Sequence, residues 1–137
     1  MPDFKLWDSQ QSLRYLKAKD YAEEACGVVQ EMHRQVGTLK FDEDGLARRG
    51  VLVRHLVMPG MIDQTDDIFR FLAEEVASDT YVNVMSQYRP GGKVTAEKYG
   101  QINRAVTMSE DLEAIRIAHD SGLRLDQRSP MEKSYLD

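Results

Sequence analysis

The order of apolar patterns along the chain predicts an α/β protein built on a parallel sheet. Segments with the 3.6-residue period of a buried helix face alternate with short runs that are apolar at almost every position. Such runs are typical of strands covered on both faces, as in a parallel sheet. Strands that alternate with helices favour right-handed crossovers within one sheet.

The first 37 residues predict the end of a strand and two helices. In the opening segment, MPDFKLWD, Phe4 and Leu6 alternate with polar residues, as at the end of a buried strand. Residues 9–17 favour a short helix, and residues 20–36 favour a longer one that begins after Asp20 and ends at Gly37. The longer helix has one apolar stripe, formed by Ala22, Ala25, Val28, Val29, Met32 and Val36.

A turn and the central strand follow. The sequence DEDG at residues 42–45 predicts a turn between two short extended pieces. The run VLVRHLVM at residues 51–58 predicts a buried strand, which Pro59 and Gly60 end. Strand and helix then alternate to the end of the sheet. The remaining elements are a helix with Thr65 as N-cap, a strand at 81–88, a helical stretch near 95–103, a helix from Ser109 to 121 and a strand at 123–126.

Composition limits the classes of function. The 137 residues carry a net charge of -5, and 42% of them are hydrophobic, which fits one globular domain. We expect a cytoplasmic protein without membrane or nucleic-acid partners, because signal-peptide features, a bilayer-length apolar run and a basic cluster are all missing. The single cysteine, Cys26, excludes an internal disulfide and any site made of several thiolates from this chain.

Asp3 and Lys5 are the first candidate binding residues. They lie two positions apart, so in a strand they point to the same face. A carboxylate and an ammonium at the end of a strand can hold a zwitterionic ligand. Alternatively, one of the two groups can bind a cation or pair with a carboxylate by itself. The structural alternative is an ordinary solvated ion pair, which contributes little stability.

Arg54 and His55 are adjacent in the most apolar strand, so they face opposite sides of the sheet. Arg54 is the better binding candidate, because a guanidinium holds a carboxylate or phosphate through two hydrogen bonds. The structural alternative is that Arg54 pairs with a nearby acid, while His55 is hydrogen-bonded between sheet and helices.

Four segments together carry a resemblance to a known family. They are PDFKLWD, EMHRQVGTLKFDEDGLARRGVLVRHLVMPG, IFRFLAEEVASDTYVNVMSQYRP and GLRLD. Their order and spacing closely resemble the second half of the radical S-adenosylmethionine proteins that are homologues of pyruvate formate-lyase activating enzyme. The resemblance implies that residues 1–126 form the carboxy-terminal half of a (β/α)6 partial TIM-like barrel, with about three strand-helix units. We expect residues 127–137 to be a polar, flexible tail.

The resemblance also implies two cofactors for the complete enzyme. In the activating enzymes a Cys-x3-Cys-x2-Cys loop binds a 4Fe-4S cluster, which cleaves S-adenosylmethionine reductively to a 5'-deoxyadenosyl radical. This chain has one cysteine, Cys26. We therefore expect it to belong to such an oxidoreductase, to be inactive alone, and to bind neither cofactor tightly without the other half.

Family roles carry over to five positions. The resemblance places Asp3 at a monovalent cation, Lys5 near the methionine moiety of the cofactor, and Arg54 in contact with the cofactor. Gln87 and Tyr88 occupy the region where the activating enzymes have a Tyr-His pair near the adenosine. The missing histidine leaves the role of that pair open.

The resemblance and the exposed edges of a half-barrel imply partners. We expect either the missing amino-terminal half-barrel or a homodimer formed through the sheet edges, and a glycyl-radical enzyme or other protein as the substrate. The alternative function is a non-catalytic module that binds S-adenosylmethionine or a partner without the cluster.

Overall fold

Helices pack on one face of a short parallel sheet in the computed structural model, which describes residues 1–126. The predicted tail at 127–137 lies outside the described residues. The helices are α1 (Ser9–Leu16), α2 (Tyr21–Val36), α3 (Ile62–Phe71) and α4 (Met108–Asp120), with a π-helical turn at Leu72–Val76 and a 3-10 turn at Gly100–Ile102. The strands are β1 (Lys40–Phe41), β2 (Ala47–Arg49), β3 (Leu52–Leu56), β4 (Tyr81–Met85) and β5 (Arg124–Leu125).

The expected half of a (β/α)6 barrel is wrong. The parallel sheet has three strands in the order β3-β4-β5, and β1 and β2 form a separate antiparallel sheet. Asp3 contributes only an isolated parallel bridge to Arg54, and β5 is only two residues long. Residues 1–126 therefore form a small α/β structure with two sheets.

The second sheet exists because the chain turns back on itself after α2. The Asp42 carboxylate accepts hydrogen bonds from the backbone N–H groups of Asp44 and Leu46, at 2.9 Å each. Gly45 has a φ of 77°, which a glycine adopts without strain. The predicted turn at residues 42–45 is confirmed, and the extended pieces on its two sides pair with each other.

The core lies between β3, β4 and the helices. β3 pairs with β4 in parallel from Leu52↔Tyr81 to Leu56↔Met85. Side chains of β3 alternate, so that Val53 and His55 are buried while Leu52, Arg54 and Leu56 are half-buried. The largest buried cluster includes Phe4, Val29, Val53, Ile68, Phe69, Leu72, Val82 and Ala118.

Two predicted helix starts are wrong. α3 begins at Ile62, three residues before Thr65, and Thr65 is fully buried rather than at the N-cap. α4 has Thr107 as its N-cap in place of Ser109. Thr107 accepts from the Glu110 backbone N–H and Glu110 accepts from that of Thr107, at 3.1 and 2.9 Å. This capping box satisfies two N–H groups that the first turn leaves without partners.

Gly50 connects the antiparallel hairpin to β3 at a point of close backbone approach. Its φ is +121°, and a Cβ atom there would overlap the carbonyl oxygen of Thr38 and the Cα of Leu39. Only glycine fits this position without moving the backbone.

We expect Gly50→Ala to lower the free energy of unfolding by more than about 3 kcal/mol, because both the backbone angle and the space forbid a Cβ. Gly27→Ala is the matched control. Gly27 lies within α2 with open space around it, so alanine should stabilise the helix by about 0.5–1 kcal/mol. Urea unfolding measures both. Equal effects of the two variants would contradict this description of the Gly50 turn.

His55 links three parts of the core through two hydrogen bonds. Its Nδ1 lies 2.7 Å from the Phe4 carbonyl oxygen and its Nε2 lies 2.8 Å from the Thr65 hydroxyl. A carbonyl oxygen only accepts, so Nδ1 carries the proton and the Thr65 hydroxyl donates to Nε2. Burial lowers the pKa of His55 from 6.5 to about 4, although the Phe4 carbonyl opposes the shift.

Stability should fall as the pH drops from about 6.5 towards 4. Between these values the unfolded chain binds a proton at His55 that the folded chain does not bind, so protonation favours unfolding. The free energy of unfolding should fall by roughly 3 kcal/mol over the full range. Urea unfolding between pH 7.5 and pH 5 measures the slope. His55→Gln should remove most of it, and His119→Gln, at an exposed helix end, should leave it unchanged. A flat profile for the wild-type protein would contradict a buried neutral histidine.

Candidate functional site

One face of the parallel sheet carries polar side chains that helices do not bury. Arg54 lies on this face in the middle of β3, and by register its neighbour in β4 is Asn83. Both are half-buried, whereas Val53 and Val82, on the helix side, have no exposed surface. We call this surface the open face. A parallel sheet normally has both faces covered, so an open, charged face is unusual.

An ion cluster of three residues lies on the open face. Arg54 Nε donates to Asp3 Oδ1 at 2.6 Å, and Lys5 Nζ lies 3.9 Å from Asp3 Oδ2. The side chains of Arg54, Asp3 and Lys5 are 41%, 31% and 43% exposed. The bonded Asp3 carboxylate raises the pKa of Arg54. The cluster is therefore one carboxylate between two cations, all within reach of solvent.

Residues 2–5 are held in place by their own backbone. Phe4 N donates to the Arg54 carbonyl and Arg54 N donates to the Pro2 carbonyl, at 2.9 Å each. This pairing continues the sheet beside β3 and places Asp3 level with Arg54. Lys5, two residues on, falls on the same face by strand alternation, as predicted. The structure thus brings Asp3, Lys5 and Arg54 together.

Two side chains anchor this segment from the other side. Lys5 N donates to the Tyr21 hydroxyl at 3.0 Å, and that hydroxyl donates to the Asp3 carbonyl at 3.3 Å. Gln64 is 4% exposed, and its Oε1 accepts from the backbone N–H groups of Trp7 and Asp8 at 3.0 and 3.2 Å. These two polar side chains fix the path of the chain up to the start of α1.

The other two predicted site residues lie beyond β4. The predicted strand at 81–88 ends at Met85, so Gln87 and Tyr88 belong to the following loop. Gln87 is exposed. The Tyr88 hydroxyl donates to the Ile102 carbonyl at 2.9 Å, and its ring packs on a cluster that includes Leu6 and Met61. Tyr88 fixes the loop to the core in this structure, and ligand binding by either residue stays a prediction.

The chain does not fit an iron-sulfur cluster. Cys26 lies in α2, and burial, with a smaller effect of Glu75, raises the pKa of its thiol to about 11. A 4Fe-4S cluster is held by several cysteine thiolates, and this chain has a single cysteine. Within residues 1–126, no three His, Cys, Asp or Glu side chains come together as a metal site.

The cation site predicted at Asp3 stays a prediction. A guanidinium and an ammonium already face this carboxylate, at 2.6 and 3.9 Å. A metal cation bound there would share the carboxylate with two positive charges, and the repulsion between like charges weakens such binding.

Two features of the open face could not be found from the sequence alone. One is Asn83, and the other is a contact between two aromatic rings at the amino end of this face. The ring of Phe41, from β1, packs on Tyr81 with centroids 5.5 Å apart. Arg124 lies over both rings, at 5.8 and 5.3 Å, and donates to the Leu39 carbonyl at 2.7 Å. Counting alternate positions in YVNVM places Asn83 on the open face, once the register with β3 is known. Nothing in the local sequence indicated that β1 packs on Tyr81.

Comparison with known proteins finds a relative of this chain. An uncharacterized protein of Methanocaldococcus jannaschii is 33% identical over 126 residues, which make up 91% of this chain. The chain spans about a third of the length of that relative, 32%. No family model matches the chain. No solved structure matches it. None of the helices between residues 1 and 126 has the length and apolar character needed to cross a bilayer.

Removing the Tyr21 hydroxyl tests how Asp3 and Lys5 are positioned. Tyr21→Phe leaves the Lys5 N–H and the Asp3 carbonyl without this partner, so we expect about 1 kcal/mol of lost stability and faster hydrogen exchange at the Lys5 amide. Tyr15→Phe, at a partly buried tyrosine that packs on Tyr99, is the control and should not change exchange at Lys5. Unchanged Lys5 exchange in Tyr21→Phe would show that the hydroxyl does not hold this segment.

Proposed function

We propose that this chain supplies part of an S-adenosylmethionine-binding site in a radical enzyme of the kind that its sequence resembles. The observation that carries the proposal is the cluster of Arg54, Asp3 and Lys5 on the open face. The methionine moiety of S-adenosylmethionine is a zwitterion, with a carboxylate and an ammonium on one carbon. A carboxylate between two cations is complementary to such a group.

Binding would proceed by exchange of ion pairs. The ligand carboxylate would take N–H donors of Arg54 and the ammonium of Lys5, and the ligand ammonium would take the Asp3 carboxylate. A guanidinium has five N–H donors, so Arg54 can bond Asp3 and a ligand together. Because all three side chains are half-exposed, solvent screens their present contacts, and opening them costs little free energy.

The radical chemistry would depend on protein outside this chain. In the activating enzymes the 4Fe-4S cluster supplies the electron that cleaves S-adenosylmethionine. Cys26 does not fit as a ligand, so we assign no reductive step to residues of this chain. The matched relative is about three times as long as the matched segment, which leaves room for cluster ligands elsewhere in such a polypeptide.

We propose cytoplasmic action on a glycyl-radical enzyme or other protein substrate.

Binding of the zwitterion can be measured on the chain itself. Titration of the isotopically labelled protein with S-adenosylmethionine should shift the amide resonances of Lys5, Arg54 and their neighbours. Since the chain holds only part of the site, we expect a dissociation constant on the order of millimolar. Arg54→Gln should weaken binding roughly tenfold or more, which is the loss of one charge-assisted hydrogen bond.

Two controls separate specific binding from charge effects. Arg70→Gln removes an exposed arginine, which pairs with Asp66 on α3 at 2.7 Å, and should leave the affinity unchanged. Methylthioadenosine has no amino-acid group and should not shift Lys5 or Arg54. Equal shifts with both compounds, or none with either, would contradict the proposal. Micromolar binding by the chain alone would instead favour the non-catalytic binding module.

A further inference from the structure

A polar cleft lies at the carboxyl end of β3, where parallel α/β sheets bind their ligands. Its volume is about 310 Å³, and it lies between α1 and the loop that joins β3 to α3. Arg14 of α1 and Gln101 of the 3-10 turn both line it, and Arg14 donates to Gln101 Oε1 at 3.1 Å. Asp63 is the one acid among the lining residues, and it is exposed. The cleft therefore opens to solvent beside an arginine.

Gln64 gives the cleft a hydrogen-bond donor on a buried side chain. Gln64 lines the cleft and is 4% exposed. Its Oε1 accepts from the backbone N–H groups of Trp7 and Asp8, whereas its Nε2 forms no hydrogen bond with any group of residues 1–126. A side chain at this depth needs an acceptor for its remaining N–H groups, from water or from a ligand. The cleft thus favours a ligand that brings an acceptor.

A row of cations continues from Arg14 along the surface. Lys17 Nζ donates to the Tyr99 hydroxyl at 2.8 Å, although the two residues are 82 positions apart, and Lys98 Nζ lies 5.3 Å from the centroid of the same ring. The hydrogen bond from Lys17 lowers the pKa of Tyr99; burial opposes this shift, and the charges of Lys17, Lys98 and Lys93 add to it. We call Arg14, Lys17, Lys93 and Lys98 the basic rim.

The basic rim has no acidic partners in the part of the chain that the structure describes. None of its four residues forms an ion pair there, although acids outnumber lysines and arginines in the whole chain by 23 to 18. Lys17 uses two of its three N–H groups, on the Arg14 carbonyl and the Tyr99 hydroxyl. Glu97 is next to Lys98 in the sequence and does not pair with it. The positive charges of the rim are therefore available to a partner.

Backbone strain occurs at the same place. Among residues 1–126, Lys17 and Tyr99 are the two non-glycine residues with positive φ, at 59° and 62°. Lys17 is the C-cap of α1, in a left-handed conformation that glycine adopts most easily. Side chains held in this region cost conformational energy, and such costs concentrate at functional sites. Because the two strained residues bond each other, the strain supports a role for their side chains.

We propose that the cleft and the basic rim bind an acidic segment of a partner protein. One carboxylate of the segment would enter the cleft and accept from Gln64 Nε2 and from Arg14, which keeps N–H groups beside its bond to Gln101. Further carboxylates would lie along the rim. The rim extends beyond the cleft, so it suits several acids on one chain better than one small carboxylate.

The aromatic rings of this surface disfavour a nucleic acid as the partner. Single-stranded nucleic acids bind by stacking bases on free aromatic rings. Here Lys98 lies over the ring of Tyr99 and Arg14 over that of Tyr15, at 5.3 and 5.4 Å, and the two rings contact each other with centroids 5.6 Å apart. Little ring surface is left for bases. The inference holds whichever ligand the open face binds, because Asp3, Lys5 and Arg54 take no part in it.

Titration of fluorescently labelled hexaglutamate with the full 137-residue chain tests the proposal. Fluorescence anisotropy should give a dissociation constant on the order of 100 µM at low ionic strength, and binding should weaken as salt is added, because exposed charges are screened. Arg14→Gln and Lys98→Gln should each weaken binding about threefold or more. Lys40→Gln, at an exposed lysine of β1, is the matched control and should leave the affinity unchanged. Circular dichroism confirms that each variant is folded.

Lys17→Gly separates binding from a purely structural role. Glycine removes the ammonium and relieves the left-handed backbone, so hexaglutamate binding should weaken while the urea midpoint of unfolding does not fall.

Four results would overturn the proposal. Absence of hexaglutamate binding at about 2 mM protein would show that the rim holds no acidic segment. Equal losses in Lys40→Gln and Lys98→Gln would show general charge attraction. Equally tight competition by glutarate would indicate a small-molecule site in the cleft alone. Tighter binding of a thymidine oligonucleotide of equal charge would indicate a nucleic-acid surface.

Discussion

A neutral histidine in the core ties together the segment before α1, strand β3 and helix α3. His55 contributes one ring nitrogen to the Phe4 carbonyl and the other to the Thr65 hydroxyl, and it is 1% exposed. An unpaired polar group at this depth would cost several times the energy of an ordinary surface contact, so the ring requires both partners at once. The position of the opening segment follows from this requirement.

The geometry of the open face is a consequence of the same link. Adjacent residues of a strand point to opposite faces, so burying His55 on the helix side turns Arg54 to the open side. The Phe4 carbonyl is bound by His55, which sets the segment beside β3 and places Asp3 within 2.6 Å of the guanidinium. Tyr21 then holds the far edge of that segment. One buried contact and one ion cluster are therefore coupled through two neighbouring residues, His55 and Arg54.

Local chemistry in the sequence was sufficient for most elements but not for their assembly. The helix at 20–36, the turn at 42–45 and the central strand were predicted because period, caps and turn residues act over a few positions. The shared face of Asp3 and Lys5 followed from strand alternation, whereas the position of Arg54 beside them depends on the pairing of Asp3 with Arg54. The barrel expectation failed because it depended on long-range pairing, and residues 40–49 pair with each other in a separate sheet. Thr65 was mistaken for a cap because its real partner, His55, is ten positions away. Asn83 and the Phe41–Tyr81 contact needed the register, which no local pattern carries.

The protonation state of His55 tests this account most directly. Nitrogen-15 chemical shifts of the imidazole ring distinguish a protonated from an unprotonated nitrogen and follow any titration. The account predicts a neutral ring with the proton on Nδ1 at every pH from 8 down to about 5, since burial lowers its pKa to about 4. A ring that titrates near its ordinary pKa of 6.5, or that carries its proton on Nε2, would contradict the link to Phe4 and with it the placement of Asp3 and Lys5 beside Arg54.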